Sequence, residues 1–394
     1  MMILPDRRIS RARFLIPVPK REWMPSSQAI PLDDLGNKVI RTRFRLRARA
    51  HDGHVVWCGW FHDREDADAF LFALACDSLR IERNLWRLPT PAWHPDLGEG
   101  LVYDFVTQTA LTTTGSNQTY TSPSDWDNSA NSIEAIGGGA TGGIGGAGGH
   151  YTGGGGGAYS KITDFSFASP GTTTATYRIG ASVTGATTTT SSATSAGTNG
   201  NPTWWNDTTN PGVGTNNTKC SAAGGSAGAA GTGSRNGGAG GATTASWGQT
   251  KYAGGNGGNL TGASGTGASG GGGAAGPNGA GGNGGDSAST STVATDGGQG
   301  GNGSGGAAGT SGSGGTAGGD GTDLDGVNGS GGGGGGRSTG GTVGWAGGNY
   351  GGGSGGNRNT PSTAGDGIQG IILVTYTPLA ANPVFATNLA MMGL

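Results

Sequence analysis

Gly142-Gly143-Ile144-Gly145-Gly146-Ala147-Gly148-Gly149, Gly237-Gly238-Ala239-Gly240-Gly241 and Gly297-Gly298-Gln299-Gly300-Gly301-Asn302 are the stretches on which the fold turns. They read as glycine pairs interrupted by one other residue, without a strict period. The chain has 394 residues and 90 glycines; 83 of these glycines fall within residues 137–370. That is about 35% of the stretch, against about 7% in an average protein. Glycine costs about 0.5–1 kcal/mol relative to alanine inside a helix or strand. Such a region cannot be helical, and a conventional sandwich would lack side chains for its core. Two arrangements remain. One is a flexible low-complexity linker. The other is backbone packing so close that only a hydrogen side chain fits, as in collagen. Proline is rare inside the region, which argues against a collagen triple helix. An extended helix of about three residues per turn makes no internal hydrogen bonds. Its N–H and C=O groups must then be satisfied by neighbouring segments. The ordered reading is a bundle of such polyglycine-type extended helices, glycines inward. Its loops fall at Asn201–Lys219, Thr243–Tyr252, Asp286–Asp296 and Thr342–Tyr350.

Strand-like segments bracket this mass. Residues 101–136 alternate, from Leu101-Val102-Tyr103-Asp104-Phe105-Val106 to Ser132-Ile133-Glu134-Ala135-Ile136, and Gly370–Tyr376 is the matching strand at the far end. Tyr159–Phe167 and Thr173–Val183 have strand composition too, with Pro170-Gly171 as a turn between them.

Upstream, residues 1–37 carry Pro5, Pro17, Pro19, Pro25 and Pro31 and read as an extended arm. Residues 38–98 read as a small α+β module. Arg41, Arg43, Arg45, Arg47 and Arg49 alternate with Phe44, Leu46 and Ala48, which predicts a strand with one basic and one apolar face. Asp52-Gly53 signals a hairpin. Paired residue numbers then sum to 105, setting Phe44 beside Phe61, Ala48 beside Trp57, Arg45 beside Trp60 and Arg47 beside Cys58. Asp63 reads as a helix N-cap, and Ala67, Phe70, Leu71 and Leu74 form an apolar stripe behind it. Together these give a ββα unit with another strand near Arg83–Leu88 or a partner over the helix. A row of five like charges repels itself unless something negative faces it. It reads either as a docking face for an acidic protein surface or as a solvated edge. Residues 1–100 hold 16 Lys/Arg against 13 Asp/Glu, too balanced for a nucleic-acid binder. Residues 99–136 are linker and incoming strands. Residues 378–394 are an apolar tail that packs back on the domain or into an oligomer contact rather than into a membrane.

Little here suggests catalysis. Matches to GxGxxG arise by chance in so glycine-rich a region and have no strand–helix unit around them. Gly318-Gly319-Asp320-Gly321-Thr322-Asp323-Leu324-Asp325 is like one calcium-binding nonapeptide, but without the tandem copies a β-roll needs. Among the five histidines only His150 lies in the glycine-rich part. Cys58, Cys76 and Cys220 fit no zinc spacing and read as free thiols. No leading segment has the form of a secretory signal, and no apolar run reaches the length of a membrane helix. The expectation is a non-enzymatic protein with no cofactor and no bound metal. Trp204, Trp205, Trp247, Tyr252, Trp345 and Tyr350 fall in the expected loops. Exposed aromatics there stack on sugars or anchor interfaces, the alternative being that they cap the bundle.

Tyr120-Thr121-Ser122-Pro123-Ser124-Asp125-Trp126 and Asn131–Gly139 resemble the opening of the bacteriophage glycine-rich domain. Gly153–Lys161, Ser169-Pro170-Gly171-Thr172, Tyr177 and Ile179-Gly180 continue the likeness, and Gly365–Tyr376 is similar to its closing strand. The resemblance covers residues 101–377. It implies a virion surface protein, assembled in the host cytoplasm, of the tail-fibre, spike, adhesin or head-fibre kind. Residues 38–98 would attach it to other capsid or tail proteins, and residues 137–377 would be displayed. It further implies a homo-oligomer such as a trimer, and a host cell-surface receptor or glycan as partner, with no nucleic acid and no membrane insertion. The fold expected is mixed: a small ββα module, then a strand-bracketed domain of packed polyglycine-type helices. The rival is a bacterial extracellular glycine-rich adhesin, against which the missing secretion signal counts.

Overall fold

The computed structural model describes residues 42–49, 55–61 and 102–378, apart from short stretches at 147–148, 191–192, 233, 262–266, 289–293, 302–304, 313–314, 338–342 and 359–361. The chain divides into two compact units. One holds residues 1–109, 125–127 and 375–394; the other holds 110–124 and 128–374.

In the first unit, β1 (Thr42–Arg49) and β2 (Val55–Phe61) form the expected hairpin. Phe44 pairs with Phe61, Arg45 with Trp60, Arg47 with Cys58 and Ala48 with Trp57. The register then slips, and Arg49 pairs with Val55. This bulge leaves Val56 as the extra residue and shortens the ladder before the turn. On its other side β1 pairs antiparallel with β3 (Val102–Leu111), Thr42 to Thr109 through Arg49 to Val102. The alternation at 101–106 therefore supplies a third strand, and the Arg83–Leu88 segment lies outside the described residues. Nearby, the Trp126 and Tyr376 rings lie 5.0 Å apart, and the Tyr376 hydroxyl donates to Asp125 Oδ1 at 3.2 Å.

The expected α+β class is corrected. Strands make up 32% of the described residues and no α-helix occurs among them, so the described part of the fold is all-β. The helix expected from Asp63 lies outside the described residues.

In the second unit, Gln118–Thr121 is β4 and Trp126–Ile136 is β5. β5 pairs antiparallel with the Tyr159–Thr163 strand, which in turn pairs with Thr250–Tyr252. On its other side β5 neighbours Ile371–Pro378. The chain thus enters and leaves the glycine region on adjacent strands. A second sheet runs Cys220–Ala222, Thr203–Trp205, Thr174–Arg178, β4.

The glycine-rich segments are extended and bond mainly to neighbouring segments through their backbones. Residues 152–158 show the rule. The carbonyls of Thr152, Gly155 and Ala158 accept from the N–H groups of Gly143, Ala140 and Gly137, while their own N–H groups donate to Ala229, Ser226 and Ala223. Gly154 and Gly157 accept from Gly272 and Ala275 and donate to Ser354 and Gly351. Gly153 and Gly156 accept from Gly238 and Gly241, and Gly156 donates to Gly255. Each neighbour returns at every third residue, as a helix of about three residues per turn demands. The segment therefore has six neighbours in a hexagonal lattice.

Residues 268–275 and 329–337 are centres of the same kind. The first bonds to segments around 154, 256, 283, 298, 333 and 354; the second to those around 272, 297, 309, 318, 348 and 353. These centres are buried throughout. A Cβ on Gly154, Gly155 or Gly156 would lie 2.4, 2.0 or 2.1 Å from the carbonyl oxygens of Ala140, Ala239 or Gly273. All three directions around the helix are closed, so no side chain fits. What holds the bundle is backbone bonding, at about 1 kcal/mol net for each bond and about 1–3 kcal/mol lost wherever a buried group is left alone. Side chains add a small core, Ile136, Tyr159, Ala274, Ala275, Tyr350 and Ile371, where the lattice meets the sheet.

The lattice also needs an edge. In Gly254–Asn259 and Gly281–Asp286 the pattern is two glycines and then Asn or Asp. Asn256 Oδ1 accepts from Gly240 N–H at 2.8 Å, and Asn259 Oδ1 accepts from Gly237 at 3.0 Å. The N–H groups of Asn256 and Asn259 donate in turn to Asn283 Oδ1 and Asp286 Oδ1. The outward third side chain takes the place of a missing neighbour. Asn256→Ala should cost about 1 kcal/mol and speed hydrogen exchange at the Gly240 amide, read by NMR, while leaving the amide of Gly255 protected.

Candidate functional site

The first candidate face is the arginine row. Arg43, Arg45, Arg47 and Arg49 alternate along β1, with Arg41 just outside the described residues. β1 has a partner on each side, so this is not an edge strand. Directly paired residues share a face. In register, Trp60 and Cys58 of β2, and Gln108, Val106, Asp104 and Val102 of β3, stand opposite these arginines. Asp104, opposite Arg47, is the one acidic residue at these positions.

The six candidate contact aromatics do not form one surface. Trp205 is fully buried in the Thr203–Trp205 strand, with ring centroids 5.2 Å from Tyr120, 5.7 Å from Phe165 and 6.2 Å from Tyr177. Trp204 is 5% exposed, and the Arg178 guanidinium lies 5.2 Å from its ring. Tyr350 is 2% exposed within the core. Trp247 is half-buried. It stacks on Gly214, where a Cβ would sit 2.2 Å from the ring, and its Nε1 donates to the Asn216 carbonyl at 3.2 Å. It pins the loop after Trp205. Tyr252 stacks 6.0 Å from Tyr159. Trp204, Trp205 and Tyr350 are thus buried packing residues, while Trp247 and Tyr252 are half-buried at the sheet end. Asn201–Lys219 and Thr342–Tyr350 fail as pure loops for the same reason, since strand and lattice segments run through them. Trp345 differs: it is half-buried with the Arg337 guanidinium 4.9 Å from its ring, and its Nε1 donates to Gly312 O at 3.3 Å.

The acidic segment is a turn. Asp323 accepts from Ser330 N–H at 2.6 Å and from its hydroxyl at 2.8 Å. Asp325 caps Val327 and Asn328. Burial pushes the Asp323 carboxyl up. Among the described residues no group of three or more His, Cys, Asp or Glu is placed to hold a metal. Cys220 is free and fully buried, and burial pushes its thiol up to about 12. At the sheet end Glu134 accepts from the Tyr159 hydroxyl at 2.7 Å and pairs with Lys161 at 3.0 Å. Burial first, then that carboxylate, pushes the Tyr159 phenol up.

The other end is the candidate site. Residues 137–143, 223–229 and 253–259 run antiparallel to 152–158, so the connections after 143, 229 and 259 emerge together, opposite the sheet. There His150–Tyr151 pairs with Ala230–Gly231, Arg235 bridges Leu260, and Tyr151 bridges Ala268. Arg337 and Asn357 bridge in the same region. The basic residues Arg235, Arg337 and Arg358 and the histidine of the domain therefore share this end. In sequence they stand far apart, and only the alternating direction of the segments could have gathered them. Burial first, then Arg235, holds the His150 imidazole below its usual value. A base with a lowered folded-state pKa binds fewer protons than in the unfolded chain. Stability should fall as pH drops through the ordinary histidine range near about 6.5. Thermal unfolding at pH 7.5 and 5.5 reads this, and His150→Gln should reduce the difference.

No protein-family model matches this chain, and no curated protein matches it.

Proposed function

We propose that this protein is a non-enzymatic structural component of a phage virion appendage, a fibre, spike or surface decoration. The N-terminal unit docks to other virion proteins through the basic face of β1, and the glycine bundle presents its turn end to the host surface. One observation carries this reading: a hexagonal backbone lattice whose chain enters and leaves on adjacent strands at one end and turns at the other. Such a lattice is stiff because its contacts are made by backbone, and it leaves the connections free to vary in sequence without disturbing the interior. The Ser- and Thr-rich connections suit contact with polar groups. The resemblance of residues 101–377 to phage glycine-rich domains adds support.

The test is immunogold electron microscopy of purified particles with antibody against residues 137–370. Gold on the capsid or on the tail is the expected result and says which structure the N-terminal unit grips. Intact particles without gold would overturn the reading and favour a bacterial surface adhesin.

A further inference from the structure

Buried polar atoms without a partner at the turn end include Asn357 Oδ1 and, close to each other, one atom each of His150 and Arg235. His150 is 1% exposed, and its Nδ1 is buried without a hydrogen-bond partner. Arg235 is half-buried, and its Nε is likewise buried with no acceptor. Among the described residues no carboxylate pairs with this guanidinium. The Lys161–Glu134 and Lys219–Asp207 ion pairs involve strands and a loop of the sheet end. The geometry brings the two groups together. Gly231 is the cross-strand partner of His150, and directly opposed residues project to one face. Gly231 has no side chain, and its φ of +140° suits glycine. Into the space above it folds the Arg235 guanidinium, whose Nη2 lies 2.6 Å from where a Gly231 Cβ would be. The guanidinium therefore occupies the place of the side chain opposite His150, and the cation and the imidazole each have an unmet nitrogen. Burying such groups unmatched is costly, and an oxyanion matches both: guanidinium binds planar or tetrahedral oxyanions through paired N–H groups.

We infer that His150 and Arg235 form an oxyanion site that takes the phosphate or carboxylate group of a surface polysaccharide. The inference rests on the turn end being the host-facing end. Exposed Thr232 beside the site offers a hydroxyl of the kind that pairs with sugar hydroxyls. Arg358 adds positive charge near Tyr151, the next residue along.

The test uses the full chain with 15N-labelled histidine. Inorganic phosphate is titrated at constant ionic strength at pH 7.5, with chloride as reference. One imidazole signal, the one missing in His150→Gln, should shift saturably. Arg235→Gln should weaken binding about tenfold or more, and Arg235→Lys should retain part of it. Phosphate should also raise the unfolding temperature of the wild type but not of Arg235→Gln, a readout that stands even if a variant folds poorly. Glucose 1-phosphate should bind several-fold more tightly than phosphate, and glucose should not bind. No saturable shift, or equal affinity in Arg235→Gln, would overturn the site and assign the two nitrogens to bound water. Equal affinity for phosphate and glucose 1-phosphate would overturn its polysaccharide preference. These outcomes are independent of where antibody labels the particle, so failure here is distinguishable from failure of the appendage reading.

Discussion

Gly156→Ala should destabilise the glycine bundle by about 4 kcal/mol or more, enough to leave residues 137–370 unfolded at ambient temperature. The added methyl would lie 2.1 Å from the Gly273 carbonyl oxygen. Real Cβ atoms do not approach so closely, so segments 152–158 and 268–275 must part. Parting them breaks the bonds from Gly272 to Gly154 and from Ala275 to Gly157. Because 152–158 touches six neighbours, the displacement spreads around the lattice instead of being absorbed on one side. Ordinary overpacking costs about 1–3 kcal/mol because side chains can rotate away; backbone carbonyls fixed by hydrogen bonds cannot. Gln299→Ala is the matched control. Gln299 is an exposed third-position residue, and its truncation should change stability by no more than about 0.5 kcal/mol. Circular dichroism melts of the two variants separate a lattice from a flexible linker, in which neither change would matter.

Trp205→Ala should cost about 3–5 kcal/mol. The side chain is fully buried and meets Tyr120, Phe165, Phe167 and Tyr177. Its indole Nε1 has no hydrogen-bond partner, so what is lost is packing. Trp205→Phe should therefore be milder, about 1–2 kcal/mol. Urea unfolding measures both. Were Trp205 a receptor contact, alanine would weaken cell binding while leaving stability unchanged.

Several features were legible in the sequence because they depend on local rules. Alternation in Thr42–Arg49 fixed a strand, and the hairpin sum placed Phe44 beside Phe61. The bulge after Ala48 was not legible, since Val55 and Val56 are the same residue type and alternation cannot tell which of them pairs with Arg49. The runs of glycine marked where backbones touch, because no other residue tolerates a carbonyl at 2.0 Å from its Cβ position. The meaning of the interrupting residue was missed. The glycine pairs were read without regard to the residue between them, yet the carboxamides of Asn256 and Asn283 complete the lattice edge. The signal was there, in Asn or Asp returning three residues apart. The aromatics misled because loops were assigned by the absence of glycine. Trp204 and Trp205 lack glycine neighbours because they form a strand in a side-chain core. The turn-end group could not have been read. His150, Arg235 and Arg358 come together only through the alternating direction of segments, which composition does not encode.

Amide hydrogen exchange across residues 137–370, read by NMR, tests the central claim most directly. The lattice predicts unbroken protection through Gly153–Ala158, Gly270–Ala275 and Gly331–Gly336, where consecutive N–H groups of a buried segment point to different neighbours. Segments at the bundle surface should show protection that lapses at outward-facing positions and recurs with a period of three. Exchange at unfolded-chain rates throughout these glycines would contradict the account and make the region a flexible linker.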